Sequence, residues 1–410
     1  MPVTNEAAIG DAAERQSVDA ITGPLTYLFA TAVAVIVTNL FAPQTLVGLI
    51  GPALGLAAGS DGLVAMATLL GYAAGLFLLV PLADLLENRR LVVRMVGCAA
   101  LAAGAAAMTP SAASLLIVLF ALGAACSAIQ ILVPVAASMA APERRGRVIG
   151  DVMGGVMVGI LLSRPLASLI ADAWRWRAFY GLSALAMAAL AVVLALRLPQ
   201  RLPVGQSTYP ALIGSLWRLL CAEPALRQRA LTASLAMAAF SLFWTSVALR
   251  LSQPPFDLGQ RGIALFALVG AGGAAATPWF GRLGDRGWTR SATIASHLTM
   301  IAALALAAWA GSFQAGPSPA PLAIMGLSAV LLDIGVIGDQ TLGRRVVNLL
   351  QPEARGRLNG LFVGLFFCGG AAGSAIAGVA WAFGGWPLIC AIGAALAIAA
   401  LLVDWIGRSA

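Results

Sequence analysis

The amino-acid sequence predicts an all-helical membrane protein, with twelve transmembrane helices in two pseudo-symmetric six-helix bundles. Three observations carry this expectation. The composition is apolar with charge confined to short clusters, the arginines gather at one end of successive apolar runs, and the first half of the chain matches the second residue by residue.

Of the 410 residues, 60% are hydrophobic and 10% charged, with a mean hydropathy of +0.91. A water-soluble fold has nowhere to bury that much apolar surface. The runs between charge clusters reach about 20 residues, the length a helix needs to cross a hydrocarbon core roughly 30 Å thick. Spans are expected at 25–47, 62–83, 91–109, 113–140, 148–171, 178–197, 230–250, 262–281, 291–311, 320–342, 358–383 and 387–406.

Every one of the 25 basic residues is arginine. Cytoplasmic loops retain positive charge, and an even number of spans puts both termini on one side. With the N-terminus in the cytosol, 20 arginines fall inside; Arg175, Arg177, Arg250 and Arg261 fall outside, and Arg164 lies within a span. A multi-pass protein of the bacterial inner membrane, both termini cytosolic, is the expectation. The formal charge of +8 is spread over short loops rather than collected on one solvated face, so no nucleic-acid partner is expected.

Cys98, Cys126, Cys221, Cys368 and Cys390 are scattered and odd in number, and they form no metal or disulfide framework. Residues 1–23 carry Glu6, Asp11, Glu14 and Asp19 against Arg15, the wrong pattern for a cleaved leader. They are expected to be a cytosolic tail. A six-helix bundle over 24–198 follows, then a cytosolic linker over 199–229, a second bundle over 230–406 and a short tail over 407–410. Pro199, Pro203, Pro210 and Pro224 mark the linker, with an interfacial helix expected around Leu212 to Leu220.

The repeat is the strongest signal. Pro142-Glu143-Arg144-Arg145-Gly146-Arg147-Val148-Ile149-Gly150 matches Pro352-Glu353-Ala354-Arg355-Gly356-Arg357-Leu358-Asn359-Gly360 at an offset of 352 − 142 = 210. The same offset pairs Gln130 with Gln340 and Trp176 with Trp386. Asp84 and Asp285 occupy corresponding places in the loops after spans two and eight, at an offset of 285 − 84 = 201. Duplication of a six-helix unit explains both.

The chain here resembles the major facilitator superfamily over nearly its whole length. Gly281 to Arg286 is similar to that family's loop signature, a glycine four residues before an Asp-Arg pair. The first copy keeps Asp84, Arg89 and Arg90 but has Val80 at the glycine position. Asn39 to Gln44, Gly71 to Asp84, Pro142 to Arg164, Leu332 to Gly335, Arg357 to Asn359 and Cys368 to Gly370 resemble a bacterial branch labelled as drug or metabolite exporters. The resemblance implies a monomeric secondary transporter with no cofactor, moving a small organic molecule by alternating access. Proton-coupled efflux by antiport is the leading expectation. Uptake by symport, or facilitated passage of a small anionic metabolite, is the alternative.

The resemblance also implies gating by Asp84, Arg89, Arg90, Gly281, Asp285 and Arg286. A carboxylate beside the N-terminus of a neighbouring helix is favoured by the helix dipole. That neighbour would be the eleventh span for Asp84 and, by symmetry, the fifth for Asp285. The alternative is that these charges anchor loops at the membrane surface.

Ionisable residues inside a span are costly and therefore informative. Asp333 lies 333 − 320 = 13 residues into the tenth span, near mid-depth. The resembled fold lines its cavity with spans one, four, seven and ten, which makes Asp333 the candidate proton carrier. Desolvation favours the neutral form of a carboxylic acid, as proton uptake and release require. Its alternative role is hydrogen bonding between helices. Arg164, 164 − 148 = 16 residues into the fifth span, would hold an anionic cargo or snorkel to the outer interface. Their expected depths differ by roughly 10 Å, which argues against a direct ion pair.

Asn39, Gln44, Gln130 and Gln340 offer neutral hydrogen-bonding groups, and Phe243 and Trp244 an aromatic wall, for a moderately polar molecule. His297 on the ninth span is expected to be structural. Gly150, Gly154, Gly155 and Gly159 before Arg164-Pro165 suit close helix packing, and only in part resemble an antiporter signature. An enzyme would need paired carboxylates, a metal set or a Ser/His dyad at membrane depth, and none stands out.

Overall fold

The computed structural model describes residues 23–57, 59–141, 143–202, 208–274, 276–313 and 319–407. The N-terminal tail up to residue 22 and the last three residues lie outside them, and so do 203–207 of the linker. Ten segments of the described residues are long and apolar enough to cross a membrane.

The chain opens with α1 (Gly23–Phe41) and α2 (Pro43–Ala53), joined at Ala42. Proline at the first position of α2 lacks the N–H that would continue the ladder, so the first span is broken here. Then come α3 (Gly62–Leu78), a 3₁₀ turn (Val80–Asp84), α4 (Asn88–Met108), α5 (Ala112–Cys126) and α6 (Ile129–Ser138). The first set closes with α7 (Arg145–Trp174) and α8 (Trp176–Arg197). The connecting stretch holds α9 (Tyr209–Ala222), somewhat longer than expected.

The second set begins with α10 (Pro224–Leu251), six residues before the expected span. The expected eighth span is in three pieces, α11 (Gln260–Val269), α12 (Ala271–Ala274) and α13 (Thr277–Asp285). Gly270, Gly272 and Gly273 and the proline at Pro278 interrupt it. Next are α14 (Thr289–Ser312) and α15 (Ala320–Leu350), which runs eight residues past the expected end. The last two expected spans are one helix, α16 (Arg355–Ile406), broken only at Gly385 with φ 57°.

The repeat is visible in packing as well as in sequence. α1 packs along α7, and α10 along α16. Gly159 of α7 lies so close to α1 that a Cβ would sit 2.4 Å from the Ala34 carbonyl oxygen, and Gly369 of α16 lies 2.0 Å by the same measure from that of Ser234 on α10. The two glycines are 369 − 159 = 210 apart, the offset of the loop motifs. The turn before α8 repeats too. Arg175 has φ 73°, and Gly385, 385 − 175 = 210 residues on, has φ 57°.

Contacts between the two sets run along α3 with α16, α7 with α11, and α2 with α10. Glycine makes the first possible: a Cβ on Gly62 would lie 2.0 Å from the Ser374 carbonyl oxygen. Apolar residues such as Leu101, Met108, Ile117, Leu185 and Phe383 face outward. That is the surface a helix bundle presents to lipid.

Candidate functional site

A cavity of about 1390 Å³ lies between the two sets of helices. Along α7 its wall runs from Ile149 to Arg164, along α15 from Leu349 to Asp333, and along α16 from Arg355 to Phe367. No wall residue on these helices lies beyond Arg164, Asp333 or Phe367. The mouth is at the exposed Asp84, Glu353 and Arg355. At the opposite end Arg261 of α11 donates to Asp172 of α7 at 2.7 Å across the two sets. Asp172 lies eight residues past Arg164, about 12 Å further along the helix.

The head of the cavity is built from both sets. Arg164 is 4% exposed, and its guanidinium carbon lies 4.2 Å from the ring centroid of Trp244, 5.2 Å from Phe240 and 5.3 Å from Phe41. Its Nε donates to Gln44 Oε1 at 3.0 Å. A guanidinium only donates, so the amide oxygen of Gln44 must face it. Arg164 Nη2 and Gln44 Nε2 are enclosed with no hydrogen-bond partner, each at a cost of about 1–3 kcal/mol if left so. From the edge of the same indole, Trp244 Nε1 donates to Asp333 Oδ1 at 2.9 Å.

Arg164 and Asp333, expected at different depths, therefore share Trp244. Among the salt bridges of the described residues none joins the two directly. Gly270 and Gly273 let the broken α11–α12 segment press onto this pair: a Cβ on Gly270 would meet the Trp244 ring at 2.6 Å, and one on Gly273 the Asp333 Cβ at 2.3 Å.

The other expected contact residues divide. Gln130 and Gln340 line the cavity, and Gln130 Nε2 donates to the hydroxyl of Tyr72 at 3.1 Å. Asn39 does not line it; its Oδ1 accepts from Ser183 on α8 at 2.6 Å, and its Nδ2 turns to carbonyls of its own helix. Phe243 also stands behind the wall, packed edge-on against Trp244 and tilted against Trp386.

Of the expected gating residues, Asp84 lines the mouth together with Arg355, Gly356 and Arg357, where α16 starts. Asp285 takes a different partner from the expected fifth span, pairing with Arg345 of α15. Gly284 leaves room for that arginine, since a Cβ there would lie 2.9 Å from its Cδ. Arg90, in the first turn of α4, pairs at 2.8 Å with Glu87, which precedes that helix. Arg89 is half-buried, Arg286 is exposed, and Gly281 faces open space. Gly155 and Gly159 pack on α1, whereas Gly150 and Gly154 meet nothing.

Sequence reasoning missed several wall residues. Phe240 stands one helical turn before Trp244, and Arg344 one turn after Gln340, spacings that put each pair on one face. Arg344 was hidden because the tenth span is longer than expected. Asp339 was missed as well. It is 1% exposed, and its Oδ1 lies 3.0 Å from Nε2 of the fully buried His297. Neither lines the cavity.

A largely apolar chamber with charged groups at its head and mouth, lying between two repeated sets of apolar helices, is the geometry of a membrane transporter. The sequence pattern of the Major Facilitator Superfamily matches residues 27–342, and the chain belongs to that family. It is 38% identical over 388 residues to the uncharacterized transporter YgaY of Escherichia coli O157:H7, covering 93% of this chain and 95% of that one. The crystal structure of the nucleoside transporter NupG superposes with a TM-score of 0.72 at 15% identity, covering 94% of this chain and 99% of that one. The human organic anion transporter MFSD10 does so with a TM-score of 0.64 at 17% identity, covering 92% and 99%. The protein is thus a transporter, not an enzyme.

Proposed function

We propose that this protein moves a small organic molecule across the bacterial inner membrane by alternating access, coupled to protons at Asp333, and that it exports its cargo by antiport. The two units that rock are the bundles over 24–198 and 230–406, joined by the linker over 199–229. Twelve crossings follow if α11–α13 together form the eighth span and Gly385 divides α16 into the eleventh and twelfth. With the arginine-rich loops in the cytosol, the mouth at Asp84 and Arg355 faces inward, the posture that loads cargo for export.

The observation that carries the coupling is the placement of Asp333. It is 6% exposed at the head of the cavity, its carboxylate tied to Trp244 and thereby to Arg164 of the other set. A proton arriving at Asp333 changes the charge balance across the contact between the two sets, and so biases which of them moves.

A second reading, symport of an anion with the proton, is favoured by one feature: among the described residues, the one buried cation of the head shares an aromatic ring with the one carboxylate there. An anion on Arg164 would strengthen proton binding at Asp333 by like-charge repulsion, so the two would load together. Reconstituted vesicles with a trapped pH dye separate the readings. On addition of candidate cargo, protons moving against the cargo support antiport and protons moving with it support symport. Cargo movement indifferent to an imposed pH gradient would remove Asp333 from the mechanism.

A further inference from the structure

The least explained group in the chamber is the guanidinium of Arg164. It lies at the head of the cavity wall, is 96% buried by its 4% exposure, and Nη2 has no acceptor. Among the described residues no carboxylate forms a salt bridge with it; Asp333, held by the indole N–H, acts on it only through space. Its one polar partner, Gln44, is neutral. The three surrounding rings stabilise a positive charge without cancelling it. Along the walls arginines outnumber carboxylates: Arg164, Arg344, Arg345, Arg355 and Arg357 against Asp84, Asp333 and Glu353. The excess survives the pairing of Arg345 with Asp285.

We infer that Arg164 is the anion-binding centre of the chamber and that the cargo is an organic carboxylate with an apolar body. A planar carboxylate matches the guanidinium fork edge to edge and gives Nη2 its missing acceptor. The carbon skeleton then lies against the apolar wall formed by Met237, Phe240 and Leu40, all of which line the cavity. Gln44 acts as a positioning residue: it stands behind the wall, fixes the Arg164 side chain through Nε, and leaves the outer nitrogens for cargo. The inference rests on the transport reading above in its symport form, but binding alone tests it.

The test uses the purified full chain and pairs of compounds of equal size, benzoate against benzamide, phenylacetate against phenylacetamide, and hexanoate against hexanamide. Inorganic phosphate is the control for a bare anion. Binding is followed by tryptophan fluorescence and by thermal shift. A charge-assisted bidentate contact predicts that at least one carboxylate binds about tenfold or more tighter than its amide. Gln44→Glu, which sets a carboxylate against Arg164 from behind, should abolish that preference, as should Arg164→Gln. Equal binding within every pair, no carboxylate binding, phosphate binding as tightly as the best carboxylate, or a preference that survives in both variants would overturn the inference. Where a variant fails to fold the other decides, and where both fail the wild-type preference does. Carboxylate preference without transport in vesicles would sink the transport reading and leave the subsite standing. Transport of neutral compounds with no carboxylate preference would do the reverse.

Discussion

Trp244 holds Asp333 by a 2.9 Å hydrogen bond from its indole nitrogen, and the same ring carries the Arg164 guanidinium 4.2 Å from its centroid. One side chain from α10 thus connects the buried cation of the cavity head, Arg164, to the carboxylate of Asp333. The two functions of the ring separate by substitution. Trp244→Phe keeps an aromatic face for Arg164 but removes the donor to Asp333, a bond worth about 1.5–3 kcal/mol when the acceptor is ionised. The pH profile of proton-driven transport should then change, because the Asp333 carboxylate loses its hydrogen-bond donor. A profile identical to wild type in reconstituted vesicles would show that the hydrogen bond plays no part in coupling.

Asp333→Asn is expected to uncouple without unfolding. The asparagine oxygen can still accept from Trp244, so the head of the cavity keeps its shape, while the proposed proton site is gone. Exchange of cargo down its own gradient should persist, and accumulation driven by a pH gradient should vanish. Wild-type accumulation by a folded, correctly inserted variant would refute the assignment.

Arg175 adopts φ 73° and ψ 160° where the repeat places Gly385, a region glycine enters freely and other residues enter at a cost of about 1–3 kcal/mol. Arg175→Gly should therefore raise the thermal unfolding temperature, and Gly385→Arg should lower it. Melting curves in one detergent compare the three proteins directly. A fall in stability on Arg175→Gly would mean that the side chain's interfacial contacts outweigh the backbone strain.

The sequence made the helices and their duplication legible because both depend on local pattern: hydropathy over about 20 residues, and matched loops at one offset. It located Arg164 and Asp333 because charge inside a span is rare. It could not bring them together, since helical rise alone set them roughly 10 Å apart in depth. The Trp244 ring between them, and the breaks around Gly270 and Gly273 that press α11 and α12 onto it, are tertiary facts. Asn39 shows the converse. Its position on the first span suggested a cavity contact, but its rotation about the helix axis points it to Ser183 instead. Charge identifies which residues must have a partner; only packing decides which partner.

His297 and Asp339 form a fully buried pair at 3.0 Å between α14 and α15, away from the cavity. Gly335 and Gly338 let the two helices approach closely there, a Cβ on Gly338 coming 2.2 Å from Ser296 Oγ. His297→Ala would strand the Asp339 carboxyl in the packed interior, at a cost of about 1–3 kcal/mol. The unfolding temperature should fall, with coupling preserved in whatever protein remains folded. Loss of proton coupling at unchanged stability would instead give the pair a place in the transport cycle.

The salt bridge between Arg261 and Asp172 closes the end of the cavity opposite the mouth, joining α11 to α7 at 2.7 Å. It is largely solvent-exposed, so its contribution to stability is small, about 0–1 kcal/mol. Its effect on conformation is a different matter. In the proposed alternating-access cycle the two residues touch only while this end is shut, so the bond would act on one state alone, and even about 1 kcal/mol there would change the ratio of states roughly fivefold. Arg261→Asp places like charges at the contact and should shift the population toward opening at this end, whereas the charge swap with Asp172→Arg should restore closure. Reactivity of cysteines introduced beside Asp172 toward a membrane-impermeant reagent reads the population directly. It should rise in the single variant, fall back in the double, and respond less as salt screens the pair. Equal reactivity in all three proteins would mean that the close glycine contacts of α3 with α16, rather than this bridge, hold the end shut.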